Sequence, residues 1–265
     1  MDFTNDIMQL SGAVEALSEN WPRQTNRLDN ATRFIYRINA YSELIKCAEM
    51  GRLSKESKQY ALHRWYNNKT SKVCERIFVE YGARKATIEE DLHHTDIFIN
   101  GIPFDVKLSV FPQNSTVRKM HLDLKRRNDR NRLIEWFYSN QSSEQRNCFN
   151  NRIFVVCKGI NSAENSKLKQ SFDQMDVKIK AYMKYLAQTG YAFNDVKVHS
   201  SDGQERIVKS DIITINQESE NLKERLWTER CPICNGRYQL MVARLATYSG
   251  NIIMKCPNCR GYTNV

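Results

Sequence analysis

Apolar side chains recur every three or four positions through much of the first third of the chain. Residues 25–50 carry this spacing and stop at Gly51. A second stretch starts at Ser54, a residue type that commonly caps a helix, and stops at Gly82. The pattern therefore predicts two helices, over 25–50 and 54–81.

From residue 84 the pattern changes to short runs of alternating or continuous apolar residues, which are typical of strands. Helical spacing returns around Arg132–Ser139 and over 163–188, where it stops before Gly190. The predicted strands are Arg84–Ile88, Thr95–Ile99, Ile102–Val110, Arg152–Cys157, 194–199 and 206–215. This order predicts an α/β fold, a mixed central sheet flanked by helices. We divide the chain into an N-terminal helical region (1–54), a core (55–215) and a C-terminal segment (216–265).

Composition and charge narrow the class of protein. Hydrophobic residues make up 41% of the 265 residues, enough for a packed core, and the formal net charge is +10. Such a basic balance favours a polyanionic partner, usually nucleic acid. No apolar run is long enough to span a bilayer, and the first residues lack the basic start of a signal peptide. We therefore expect a cytoplasmic protein without a membrane partner.

The segment from His94 to Lys107 contains the most informative pattern. Asn100-Gly101 stands between two strand-like runs, and Asn-Gly is the strongest short signal for a two-residue hairpin turn. Such a turn sets Ile99 opposite Ile102, and by the same count it sets Asp96 opposite Asp105. Since side chains alternate between the two faces of a strand, the apolar residues share one face. Asp96, Asp105 and Lys107 share the other face.

Two carboxylates on directly opposed residues repel each other. At about 4 Å and an effective dielectric constant near 20, this repulsion costs about 4 kcal/mol. A divalent cation such as Mg²⁺ relieves the repulsion, because it binds carboxylate oxygens together with substrate phosphate. The hairpin therefore predicts a Mg²⁺ site at Asp96 and Asp105, with Lys107 beside it to stabilise developing charge. The alternative is a structural pair of aspartates neutralised by Lys107 and nearby arginines.

The pattern Asp96, eight residues, Asp105-x-Lys107 on a hairpin after a helix resembles the PD-(D/E)XK nuclease superfamily, which has the restriction-endonuclease-like fold. The resemblance covers roughly residues 55–215. It implies that both aspartates bind the catalytic metal and that Lys107 acts beside them. Thr95 stands where the family usually has proline.

The family often adds a glutamate from the preceding helix, and the candidates here are Glu75 and Glu80. The spacing to Gly82 in the resemblance favours Glu75. His93 and His94 flank the site, and a polar or phosphate-contacting role suits them better than metal binding.

A basic segment follows the hairpin. Residues 118–132 contain seven lysines and arginines against two aspartates, which is half of the net charge of the chain. Such a cluster neutralises phosphates and predicts salt-dependent binding of nucleic acid, although a solvated charged face has the same composition. The predicted nucleic-acid-binding residues are Arg118, Lys119, Lys125, Arg126, Arg127 and Arg130.

Four of the eight cysteines form two C-P-x-C-x-G motifs, Cys231 with Cys234 and Cys256 with Cys259. Two such pairs supply four thiolates for a tetrahedral Zn²⁺ ion. The segment between the pairs has the pattern of a hairpin turning near Ser249-Gly250. The C-terminal segment thus resembles a zinc ribbon, and a full set of sulfur ligands indicates a structural metal.

Taken together, these features predict a Mg²⁺-dependent endonuclease that hydrolyses DNA phosphodiester bonds. The resemblance implies a double-stranded DNA substrate and a restriction or defence setting, and repair or recombination is the next expectation. The alternatives are a nucleic-acid-binding protein with a degenerate nuclease fold, and a ribonuclease. Whether the chain acts as a homodimer stays open.

Overall fold

The computed structural model of the chain describes residues 1–17, 22–91, 95–124, 126–140, 149–159, 162–199 and 205–216, together with short strands over 244–245, 252–255 and 262–264. The chain divides into two compact units, Met1–Gln217 and Glu218–Val265. No helix among the described residues is both long and apolar enough to cross a membrane.

Helices of the first unit surround a central sheet. The α-helices are α1 (Thr4–Leu10), α2 (Ala13–Ala16), α3 (Asn26–Ala31), α4 (Tyr41–Met50), α5 (Lys55–Glu80), α6 (Ile88–Asp91), α7 (Ser115–Lys119), α8 (Arg127–Ser139), α9 (Ser162–Lys167) and α10 (Phe172–Gln188). Short 3₁₀ helices cover Arg33–Arg37 and Leu168–Gln170.

The sheet of the first unit has six strands in the order β1-β2-β3-β4-β6-β5. The strands are β1 (Arg84–Lys85), β2 (Ile97–Ile99), β3 (Ile102–Val110), β4 (Arg152–Lys158), β5 (Asp195–His199) and β6 (Glu205–Asn216). Strands β3, β4 and β6 run parallel, whereas β1, β2 and β5 pair antiparallel with their neighbours. The predicted mixed sheet flanked by helices is confirmed.

Two apolar layers hold the helices against the sheet. One contains buried residues of α5 and α10, such as Ile77 and Ile179, packed against Val155 of β4. The other contains Leu133 and Ile134 of α8, packed against the opposite face. The N-terminal helices bury Leu10 and Leu44 in the first layer, so residues 1–54 share one core with the sheet.

Helix α5 is the longest of the described helices, and both of its ends follow local rules. Its start is fixed by Ser54, whose hydroxyl accepts a hydrogen bond from the amide of Ser57. It ends before Gly82, which adopts a positive φ of 99° and lets the chain turn into β1. The boundaries predicted at Ser54 and Gly82 are confirmed.

Two of the predicted helices are interrupted. Residues 25–50 form α3, a 3₁₀ helix and α4, and the break leaves the Ile38 carbonyl free to accept a hydrogen bond from the buried Trp65 indole at 3.1 Å. Residues 163–188 form most of α9, a 3₁₀ helix and α10, and the break before α10 lies at Ser171, next to the buried Phe172. The prediction of continuous helices was wrong at both places, because packing against the core outweighs local helical propensity. Helix α8 also begins five residues earlier than predicted.

The second unit contains a three-stranded antiparallel sheet in the order β7-β8-β9. Its strands are β7 (Arg244–Leu245), β8 (Ile252–Lys255) and β9 (Tyr262–Asn264). The pairing of β7 with β8 agrees with the hairpin predicted to turn near Ser249-Gly250.

Candidate active site

The predicted hairpin connects β2 and β3. Asn100 and Gly101 both have positive φ values, 49° and 77°, as the predicted turn requires. The register pairs Ile99 with Ile102 and Ile97 with Phe104, as predicted. The side chains of Ile97, Ile99 and Phe104 are fully buried, which confirms that the apolar face belongs to the core.

The pairing changes at Asp96. The Asp96 amide donates a hydrogen bond of 2.9 Å to the carbonyl of Phe104, whose register partner is Ile97. Two successive residues of one strand thus meet a single residue of the other, which is the arrangement of a β-bulge. The Asp96 carboxylate then accepts a hydrogen bond of 2.7 Å from the Val106 amide. Asp96 and Asp105 are therefore not register partners, but the Asp105 carboxylate still lies close enough to Asp96 to raise its pKa.

Asp105 is buried and has two cationic partners. Its side chain is 3% exposed, and its oxygens lie 2.9 Å from Lys107 Nζ and 3.1 Å from Arg152 Nε. Arg152 is equally buried and stands over the ring of Tyr138, 4.8 Å from its centroid. Arg152 is also the register partner of Asp105 in the parallel pair β3 and β4. These two cations offset the negative charge of Asp105.

The repulsion between carboxylates is evident at Asp96. Burial, the Glu75 carboxylate and the Asp105 carboxylate, in that order, raise the pKa of Asp96 to about 7 from its usual 3.8. The hydrogen bond from the Val106 amide acts in the opposite direction and is weaker. Near neutral pH this carboxyl group is therefore poised between its neutral and charged forms.

Glu75 reaches the site from α5. The carboxylate of Glu75 forms an ion pair with Lys85 of β1, and its side chain is 14% exposed. Glu80 is exposed at the end of the same helix. Of the two glutamates considered from the sequence, Glu75 is the one that faces Asp96 closely enough to raise its pKa.

An open cleft of about 550 Å³ adjoins Asp96 and Glu75. One side is the exposed surface of α5, which contributes Ser71 and Lys72, and the other side includes Lys85. The cleft therefore brings acidic groups and lysines together at the surface, where a polar ligand has access.

The chemistry of these groups suits a hard divalent cation, because carboxylate oxygens are the ligands that Mg²⁺ prefers. Among the described residues, however, no three His, Cys, Asp or Glu side chains converge closely enough to surround a metal as they stand. Asp105 is paired with Lys107 and Arg152, and Glu75 is paired with Lys85.

The basic segment is divided between exposed and anchored side chains. Arg118, Lys119 and Arg126 are exposed. Arg127 is exposed as well, but its guanidinium donates a hydrogen bond of 2.7 Å to Asn194 Oδ1, next to β5. Arg130 lies 3.4 Å from Asp211 of β6 and donates a hydrogen bond to the Leu124 carbonyl.

The anchored arginines thus lie on the β5 and β6 side of the sheet. Strand β4 separates that side from Asp105 on β3, and two strand spacings amount to about 10 Å. Lys125 lies outside the described residues.

Several other predicted residues also lie outside the part of the chain that the structure describes: His93, His94, Cys231, Cys234, Cys256 and Cys259. Zinc binding by the four cysteines therefore stays a prediction.

Sequence reasoning missed Arg152 and Lys85. Arg152 opens the apolar strand RIFVVC, and a cation at the start of a buried strand is unusual enough to have suggested a buried acidic partner. Lys85 had no comparable signal, because only the turn after α5 brings it beside Glu75.

Comparisons of the chain with protein-family models, with curated proteins and with solved structures found no match.

Proposed function

We propose that the chain is a Mg²⁺-dependent endonuclease that hydrolyses DNA phosphodiester bonds. The observation that carries the proposal is the pKa of Asp96, which burial and the carboxylates of Glu75 and Asp105 raise to about 7 beside an open cleft. Ionising a buried carboxyl group beside two other carboxylates reduces stability, and a bound cation relieves that cost. The DNA substrate rests on the resemblance to PD-(D/E)XK nucleases.

In this proposal Asp96 and Asp105 hold the metal and Glu75 completes the acidic group. A bound Mg²⁺ would polarise the phosphoryl group and lower the pKa of a bound water. Lys107 contributes separately. Its ammonium group lies 2.9 Å from Asp105 and its side chain is one third exposed, so it can turn to stabilise charge on the phosphate oxygens.

Nucleic-acid binding by Arg118, Lys119 and Arg126 belongs to the same proposal, because these side chains are exposed where phosphates have access. Arg118 also donates a hydrogen bond to Gln113, and Arg126 lies 3.6 Å from Asp123, but surface contacts of this kind are weak enough to be exchanged for a phosphate. Arg127 and Arg130 enter it less directly, since Arg127 is already hydrogen-bonded to Asn194 and Arg130 lies 3.4 Å from Asp211 of β6. For the C-terminal unit we propose a zinc ribbon with structural Zn²⁺ on Cys231, Cys234, Cys256 and Cys259. Its three-stranded antiparallel sheet is compatible with that fold.

One observation favours a second candidate, a nucleic-acid-binding protein that does not cut. Asp105 is already neutralised by Lys107 and by the buried Arg152, as in the purely structural arrangement of the pair. In that case the site would hold no metal, and the basic surfaces would bind nucleic acid without cleavage.

A nicking assay tests both candidates. Supercoiled plasmid is incubated with the protein and Mg²⁺, with and without EDTA, beside the Lys107→Ala variant. A nuclease relaxes the plasmid only with Mg²⁺, and Lys107→Ala loses most of the rate while it still binds DNA. Unchanged plasmid under all conditions, with binding intact, favours the non-cutting protein. An RNA of the same length in parallel distinguishes a ribonuclease.

A further inference from the structure

The exposed surface of α5 carries several polar and cationic side chains beside the proposed site. The cleft that contains Asp96 and Glu75 is lined on this side by residues one helical turn apart, Lys72 and Arg76. A smaller neighbouring cavity of about 280 Å³, between α5 and α1, is lined by the same two cations and by Lys69. Lys72 and Arg76 thus line both cavities, and we call the two cavities together the groove.

Lys72 differs from the other two cations that line the cleft with Asp96 and Glu75. Lys85 is paired with Glu75, and Arg76 is paired with Asp6 of α1. Lys72 is exposed, and no carboxylate among the described residues is paired with it. Its charge nevertheless affects its neighbour: after burial, which acts most strongly, Lys72 is the next cause of the lowered pKa of Lys69. An excess of positive charge is therefore concentrated at this point of the groove.

The polar residues around Lys72 suit a phosphate. Asn68 and Ser71 line the same cleft one turn before it and beside it, and both side chains are partly exposed. Amide and hydroxyl groups next to a cation are the donors that proteins use to hold phosphate oxygens of nucleic acids. Such contacts fix the position of a strand without reading its sequence.

We propose that this groove binds the phosphodiester backbone of the nucleic acid and leads it to Asp96 and Glu75, with Lys72 and Arg76 as its main cations. That the backbone leads to Asp96 and Glu75 rests on the proposed function, but the groove binds phosphate whether or not the protein cleaves nucleic acid. It places the backbone contact nearest the acidic site on α5, on residues outside the basic segment 118–132.

The test is equilibrium binding to a fluorescent 20-base-pair DNA duplex, and to an RNA duplex of the same sequence, by anisotropy in EDTA over a range of salt concentrations. Lys72→Gln removes the charge of a residue with little structural role. We expect affinity to fall about fivefold and the salt slope to fall by about one unit. Arg76→Gln also breaks the pair with Asp6, so Arg76→Lys accompanies it and should restore most of the binding.

Lys58→Gln is the matched control. Lys58 is an exposed lysine of the same helix that lines neither cavity, about 21 Å along the axis from Lys72. Equal effects of Lys58→Gln and Lys72→Gln would overturn the proposed groove, as would a wild-type protein that binds neither duplex. Binding that depends on Lys72 in a protein that fails to cut would support the groove and contradict the nuclease. Tighter binding of one duplex identifies whether the groove holds a DNA or an RNA backbone.

Discussion

Replacing Asp96 with asparagine should stabilise the protein at neutral and alkaline pH and not at acidic pH. The amide has nearly the shape of the carboxyl group and keeps an oxygen for the Val106 amide. It removes the charge that burial, Glu75 and Asp105 oppose. The stability difference between the variant and the wild type therefore reports how strongly the folded protein resists ionisation of Asp96.

The size of the effect follows from the pKa of Asp96, which is about 7 in the folded protein against an ordinary 3.8. Below about pH 4 the carboxyl group is protonated in both states, and Asp96 then has no effect on the free energy of unfolding. Between about pH 4 and 7 only the unfolded chain ionises, so the wild type loses about 1.4 kcal/mol per pH unit. Above pH 7 the loss is complete at about 4 kcal/mol, an upper limit because neighbouring ion pairs can rearrange to reduce it.

The measurement is urea unfolding of the wild type and Asp96→Asn at a series of pH values in EDTA. Glu80→Gln, which removes one exposed carboxylate from the end of α5, controls for the loss of charge alone. Mg²⁺ should raise the melting temperature of the wild type at pH 8 and leave Asp96→Asn nearly unchanged. A stability difference that is the same at pH 4 and pH 8 would refute the reasoning.

Other substitutions test the remaining contacts. Asp105→Asn should destabilise the protein by about 3 kcal/mol in urea unfolding, because it leaves the buried Arg152 guanidinium without its carboxylate. The double variant with Arg152→Met should recover part of that loss. Strictly additive losses would contradict an interaction between Asp105 and Arg152. Lys107→Ala should keep the Mg²⁺-dependent rise in melting temperature and lose most of the nicking rate, and full activity would exclude Lys107 from the chemistry. Elemental analysis should give about one zinc per chain, and Cys231→Ser with Cys256→Ser should remove it; zinc retained in that double variant would exclude the ribbon.

The prediction for Asp105 differs from what the sequence suggests. From the hairpin alone, the two aspartates repel each other and neutralising either of them should do no harm. The structure gives the two residues opposite roles, because Asp105 lies between Lys107 and Arg152. Asp96 has no such partner cation among the described residues, and its pKa is raised instead.

Local rules were sufficient for the hairpin and for the ends of α5. The turn at Asn100-Gly101 depends on two residues that tolerate positive φ, and it fixes the register of the strands for several residues on each side. The sequence also determined the alternation of helices and strands, and hence the mixed sheet. The turn and the helix ends depend on neighbours within a few positions along the chain, so the pattern of residue types is enough to predict them.

Tertiary structure alone decided which charged groups meet. The parallel pairing of β3 with β4 brings Arg152 to Asp105 across 47 residues of sequence, and the packing of α5 sets Glu75 and Lys72 at the edge of the cleft with Asp96. Burial then determines the protonation of Asp96. Charge interactions act over distance in space and depend on how far water is excluded, so neither can be obtained from spacing along the chain.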